Sequence, residues 1–365
     1  MNKFLGTAVA SLVLCCPFAL GAHAQNRKAS FTTFEAPGAG AGAGQGTWAV
    51  SINTAGAIAG YYADVSNAYH GFVRTANGSI TTFDAPGASP STFAYGINTA
   101  GTIAGYYYAS HAYHGFVRAS GGGITEFDAP GAGTVDNQGT FAYSINTAGA
   151  ITGHYVDAIG LSHGFVRAAD GGITTFDVPG AGTSANLGTQ AYSIDAAGTI
   201  SGFYYDASIV VHGFVRAASG AITTFDAPGA STAPGQGTVS ESIDAAGAIA
   251  GYYTGAGSVF HGFVRAADGT IATFDASGAG AAASQGTVAF CNSRAGTIAG
   301  YYVDAADALH GFVRTPQGAI TGFEAPGAGT VAFQGTIAAG IDAAEAIAGY
   351  YTDANNLSHG FLLAP

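Results

Sequence analysis

The tripeptide His-Gly-Phe occurs seven times, at His70, His114, His163, His212, His261, His310 and His359, with spacings of 44, 49, 49, 49, 49 and 49 residues. A second marker, Phe followed by an acid, also occurs seven times, from Phe34-Glu35 to Phe323-Glu324. A period near 50 sustained over most of a 365-residue chain indicates a repeat architecture, in which each unit buries its apolar surface against its neighbours. This outweighs the two or three separate domains that length alone suggests.

Each unit reads as four strand-like runs separated by turn signals. In the third unit these are Thr140 to Ile145, Ala150 to Val156, His163 to Arg167 and Ile173 to Asp177. Asn146-Thr147-Ala148-Gly149 suits a type I turn with Gly in the left-handed position, Asp170-Gly171 a hairpin turn, and Pro179-Gly180 a stop. No window beyond the N-terminal segment keeps a helical period. If Asp170-Gly171 is a two-residue hairpin turn, Phe165 faces Phe176, and Phe72 likewise faces Phe83. The same parity puts His70 and Asp84 on opposite faces of their sheet, so a bond between them would have to cross between units.

Four antiparallel strands in each of seven units predict an all-β, seven-bladed β-propeller. A parallel β-helix has shorter coils and no need for two tight turns per unit. The longest connection, Pro-Gly-Ala-Gly to Gln-Gly-Thr, suits the link from one blade's outer strand to the next blade's inner strand. Phe31–Glu35 is then an outer strand without its own blade, and the last unit, from about Thr336 to Leu363, lacks one. Pairing the two closes the ring and removes an exposed edge.

Residues 1–24 have one early Lys, an apolar stretch from Phe4 to Leu20 and an Ala22-His23-Ala24 cleavage pattern, which reads as a signal peptide. The expected layout is therefore 1–24 as signal peptide, 25–30 as a short segment and 31–365 as repeats, in a secreted or periplasmic protein. No later run is long and apolar enough for a transmembrane segment. Cleavage would remove Cys15 and Cys16 and leave Cys291 alone, which rules out an internal disulfide and suits a buried, inert thiol. The 10 basic against 22 acidic residues, a net charge of −12, argue against a nucleic-acid partner.

The segments Ser51–Ile58 (Ser-Ile-Asn-Thr-Ala-Gly-Ala-Ile), Gly60-Tyr61-Tyr62 and His70-Gly71-Phe72-Val73, recurring through 31–365, resemble the HAF-type extracellular repeat family of bacteria. Gly stands where that family's motif has its middle Ala, so the match is to a variant. The resemblance implies export and repeats, and supplies no catalytic residues.

Alternating strand direction places the Asn-Thr-Ala-Gly and Asp-Gly turns on one face, and the long links with the Tyr-Tyr-to-His loops on the other. The variable long-loop face is the expected binding face. Its candidate ligand-binding residues are Tyr62 and Asp64, Tyr155 and Asp157, Tyr205 and Asp206, Tyr302 and Asp304, and Tyr351 and Asp353. Aromatic rings beside carboxylates hold sugars by stacking and hydroxyl hydrogen bonds, and the acids could recruit calcium, although the dense Asp spacing of a calcium loop is missing. No other cofactor and no metal site is indicated. The seven histidines read as strand-end residues bonded to a neighbour, and the six Val-Arg arginines, Arg74 to Arg314, as solvated or paired. No Gly-x-Ser-x-Gly elbow, phosphate loop or His-Glu-x-x-His segment is present, so catalytic residues are not assigned. The expected function is non-enzymatic, multivalent binding of glycan or another cell-surface polymer. The alternatives are a polysaccharide hydrolase or lyase with acids on the same face, or a purely structural envelope protein.

Overall fold

Short β-branched and aromatic runs, closely punctuated by Gly, Asn and Asp, favour antiparallel strands joined by tight turns. The computed structural model describes residues 30–89 and 91–365, which form 28 strands. Among the described residues the only helical piece is one 3-10 turn, Ala256–Ser258. The signal peptide expected at 1–24, and residues 25–29, lie outside the described residues.

Strand β1 (Ser30–Phe34) comes first. Strands β2 (Gly46–Ile52), β3 (Ile58–Ala63), β4 (Tyr69–Arg74) and β5 (Ile80–Phe83) then pair in order, all antiparallel. The same meander recurs in the units whose first strands begin at Ser91, Gly139, Gly188, Thr238 and Gly286. The unit beginning at Gly335 has three strands of its own, and β1 fills its fourth place. There β1 runs antiparallel to the last strand, Ser358–Ala364, with Phe31 opposite Leu363 and Phe34 opposite Gly360. First strands lie beside first strands of neighbouring units, and that of the last unit lies beside β2.

The hairpin register differs by one residue from the sequence expectation. Ala168 and Gly172 close the third unit's turn, with the Ala168 amide donating to the Gly172 carbonyl and the Gly171 amide to Ala168. The loop therefore has an extra residue, a type I turn followed by a bulge, with Gly171 at φ 99°. One added residue shifts every facing pair. Phe176 faces Gly164, and Phe165 faces Thr175. In the first unit Phe83 faces Gly71, and His70 falls directly opposite Asp84 on the same sheet.

That register accounts for the His-Gly-Phe motif. The Gly leaves room for the fourth-strand Phe, because a Cβ on Gly164 would lie 2.6 Å from the Phe176 ring. The Phe of the motif is fully buried in every unit, from Phe72 to Phe361. Aromatic contacts then run between units: Phe83 meets Phe116 edge-on at 6.0 Å, Phe127 meets Phe165 at 6.0 Å, and Phe34 of β1 meets Phe72 at 6.0 Å. Each Val-Arg arginine lays its guanidinium over the Phe of the preceding unit, as Arg167 does over Phe127 at 5.0 Å. These arginines join units by cation–π contact.

Polar side chains link the units at both ends. The buried Thr of Gln-Gly-Thr accepts the amide that follows the Phe-acid pair, as Thr140 does from Ala129 at 2.9 Å. On the short-turn face Asn53 donates to the Asn98 carbonyl at 2.8 Å and Asn146 to the Asp195 carbonyl at 3.0 Å.

Candidate functional site

Strand direction places the long links and the second-to-third-strand loops on one face, as the sequence suggested. There each motif histidine stands opposite a fourth-strand acid: His70 Nδ1 lies 2.8 Å from Asp84, His163 2.9 Å from Asp177 and His212 2.9 Å from Asp226. In five units a loop acid reaches the other ring nitrogen. Asp64, Asp157, Asp206, Asp304 and Asp353 lie 3.5, 3.4, 3.7, 3.1 and 3.6 Å from the Nε2 of their histidines. Ala109 and Gly255 occupy that loop position in the second and fifth units.

The loop acids also hold their own turns. Asp64 Oδ1 accepts the amides of Ser66 and Ala68, and the bond from Ala68 leads in holding this carboxyl below its usual range. Burial raises Asp157, Asp304 and Asp353, but turn amides and the adjacent histidine outweigh it and leave all three lowered. His310 shows the reciprocal effect: burial lowers it, Glu324 and Asp304 raise it further, and the net shift is upward.

The candidate tyrosines lie beneath these histidines. Tyr62, Tyr155 and Tyr351 are buried and Tyr302 is half-buried, with ring centroids 5.0, 4.8, 4.7 and 4.8 Å from those of His70, His163, His359 and His310. Burial raises all four hydroxyls. Tyr205 is placed differently. In its unit the ring under His212 is Tyr204, and Tyr205, one residue further on, is half-buried at the edge of a pocket.

That pocket, about 410 Å³, opens on the long-loop face between the third and fourth units. Asp136 and Gln138 line it from one link, Asn186 from the next, and His154, Gln190 and Tyr205 from the strands. Ser162 creates the room, standing where the first, second and fifth units have Tyr69, Tyr113 and Phe260. Gln190 and His154 further replace aromatic residues, at the places of Trp48 and Tyr61. His154 stacks 5.1 Å from Phe141, its Nδ1 has no hydrogen-bond partner among the described residues, and burial pushes its pKa down to about 4. Asp136 accepts hydrogen bonds from the Tyr108 hydroxyl and from His111, which hold its carboxyl below the usual range. Of the sequence candidates only Tyr205 lines this pocket; the signal for the pocket itself is the pair of departures at His154 and Gln190, polar where the other units have aromatic or aliphatic residues.

Six large apolar side chains are exposed among the described residues: Val65, Val135, Ile159, Ile209, Val331 and Phe333. All six lie in long links or second-to-third-strand loops, hence on the same face. The sixth unit's departures are structural in character. Burial raises the Cys291 thiol to about 12, and Asn292 accepts from Ser242 at 2.8 Å and donates to the Ala248 carbonyl at 2.9 Å. No group of three or more His, Cys, Asp or Glu side chains among the described residues is arranged to hold a metal.

No family model matches the chain, and no curated protein matches it. Solved structures do. Virginiamycin B lyase from Staphylococcus aureus superposes with a TM-score of 0.59 at 13% identity, covering 93% of this chain and 100% of that one. The BP39L lectin from Burkholderia pseudomallei superposes with a TM-score of 0.57 at 9% identity, covering 87% and 95%. At such identities the likeness establishes an all-β, β-propeller-like fold and nothing further.

Proposed function

We propose that this chain is an exported, non-catalytic binding protein of the HAF-like repeat type, a seven-bladed β-propeller that takes a carbohydrate polymer on its long-loop face. Its principal subsite is the pocket between the third and fourth units. The observation that carries this reading is the composition of that pocket: amide, imidazole and carboxylate groups beside a half-buried Tyr205 ring. Sugars are bound by this combination of hydroxyl-directed hydrogen bonds and an aromatic surface. Two further features support it. The six exposed apolar side chains share the face, and a lectin is among the proteins of similar fold. Seven groups of four strands, the seventh completed by β1, support the blade count. Export rests on the sequence of residues 1–24.

Loops around the rest of the rim add weaker contacts along the polymer, and linked sites can raise apparent affinity by roughly 10²–10⁴. A glycan array with the purified protein, followed by retention on the best polymer, tests the proposal. Tyr205→Ala with Gln190→Ala is expected to lower retention at least about tenfold, about 1.4 kcal/mol. Unchanged retention in that variant overturns the assignment of the pocket. Release of product from any polymer replaces the binding reading with a hydrolase or lyase, and a blank array with no degradation favours a structural envelope protein.

A further inference from the structure

The first strands of the units surround a second cavity, on the axis and away from the long-loop pocket. Its volume is about 540 Å³, within the usual range of small-molecule sites. One residue per unit sets its wall at equivalent positions: Val50, Tyr95, Tyr143, Tyr192, Glu241, Phe290 and Ala339. The wall is therefore asymmetric even though the repeats are alike. Three consecutive units supply tyrosines, with Tyr95 edge-on to Tyr143 at 5.2 Å and Tyr143 stacked on Tyr192 at 4.8 Å. The next two supply Glu241 and Phe290.

We propose that this axial cavity binds a small organic cation bearing one ammonium group, held by Glu241 and the aromatic wall. Among the described residues Glu241 is the single charged side chain lining the cavity. No basic side chain among the described residues lines the cavity, and the ionisable groups that feel the Glu241 carboxylate are the hydroxyls of Tyr192, Tyr252 and Tyr301, which it raises. A carboxylate so placed is costly unless a cation joins it. No group of three or more His, Cys, Asp or Glu side chains among the described residues gathers to hold a metal here, whereas aromatic walls with one anion suit an organic ammonium. Burial raises the Glu241 carboxyl to about 7, consistent with an anion that lacks its counter-charge.

The approach also favours a cation. On the short-turn face a mouth of about 240 Å³ shares Ile52, Ile194, Ile243 and Ile341 with the cavity and is rimmed by Asn53, Asn98, Asn146, Asp195 and Asp342. Arg294, on the sixth unit's turn, is exposed and is not part of this lining.

Calorimetric titration of the full chain at about pH 8, above the raised Glu241 value, tests the proposal with choline and its uncharged isostere 3,3-dimethylbutan-1-ol. The native protein is expected to bind choline at least about tenfold more tightly than the alcohol, and Glu241→Gln to lose that preference. Equal binding of the two probes, no binding of choline, or an unchanged preference in Glu241→Gln overturns it. Should that variant fail to fold, the comparison of the two probes on the native chain decides alone.

Discussion

Glu241, half-buried on the wall of the axial cavity, and His154, buried beneath the long-loop face, are groups whose charged forms the fold opposes, and they act at opposite ends of the pH range. Glu241 is raised from 4.5 to about 7, so its folded state favours the protonated carboxyl. Its contribution to stability is full below about pH 4.5 and is lost as pH rises through about 7. Glu241→Gln should therefore melt like the native chain at about pH 4 and higher at pH 8, by up to about 3 kcal/mol less the effect of water in the cavity. His154 is lowered from 6.5 to about 4, so its contribution is full above 6.5 and drains as pH falls toward 4. His154→Phe, which places at this position the residue found at Phe203 in the next unit, should move the acid-unfolding midpoint to lower pH. Thermal melts across pH 4 to 8 check both signs; a native-like pH profile in either variant contradicts the corresponding assignment.

At the scale of the element, one residue of turn length decides what each side chain meets. The strands, the turn positions and the division into two faces were legible because they depend on periodicity and on Gly, Asn and Pro. The hairpin register was not, since Asp170-Gly171 fits both a two-residue turn and the longer bulged loop. That single residue turned an expected Phe165/Phe176 pair into Phe176 over Gly164, and an expected bond between units into a His–Asp pair within one sheet. The difference carries a prediction. Gly164→Ala forces a methyl against the Phe176 ring and should cost about 1–3 kcal/mol. Gly171→Ala, at φ 99°, should cost about 1 kcal/mol, and Gly172→Ala close to nothing. Urea unfolding of the three variants measures this order. If Gly164→Ala is neutral, the motif's Gly is not there to admit the Phe.

For the whole molecule, the repeat count and the pairing of the chain's beginning with its end followed from the seven markers and the unit that lacks a strand. The two cavities did not. They arise where neighbouring units differ, at Ser162, Gln190 and Glu241, and what a departure from a repeat opens up depends on which side chains the next unit brings to it. Both cavities, and the face that presents them, presuppose one ring that β1 closes. Removal of residues 25–36 should leave the Ser358–Ala364 strand with an open edge and lower both solubility and melting temperature. Hydrogen exchange tests the closure most directly, by comparing the segment Ser30–Phe34 with the equivalent fourth strands Ile80–Phe83 and Ile320–Phe323 in the intact chain. Protection of Ser30–Phe34 equal to that of the other two is the predicted result. Exchange of Ser30–Phe34 at the rate of an unstructured segment, with the other two still protected, would contradict a ring closed by its first strand.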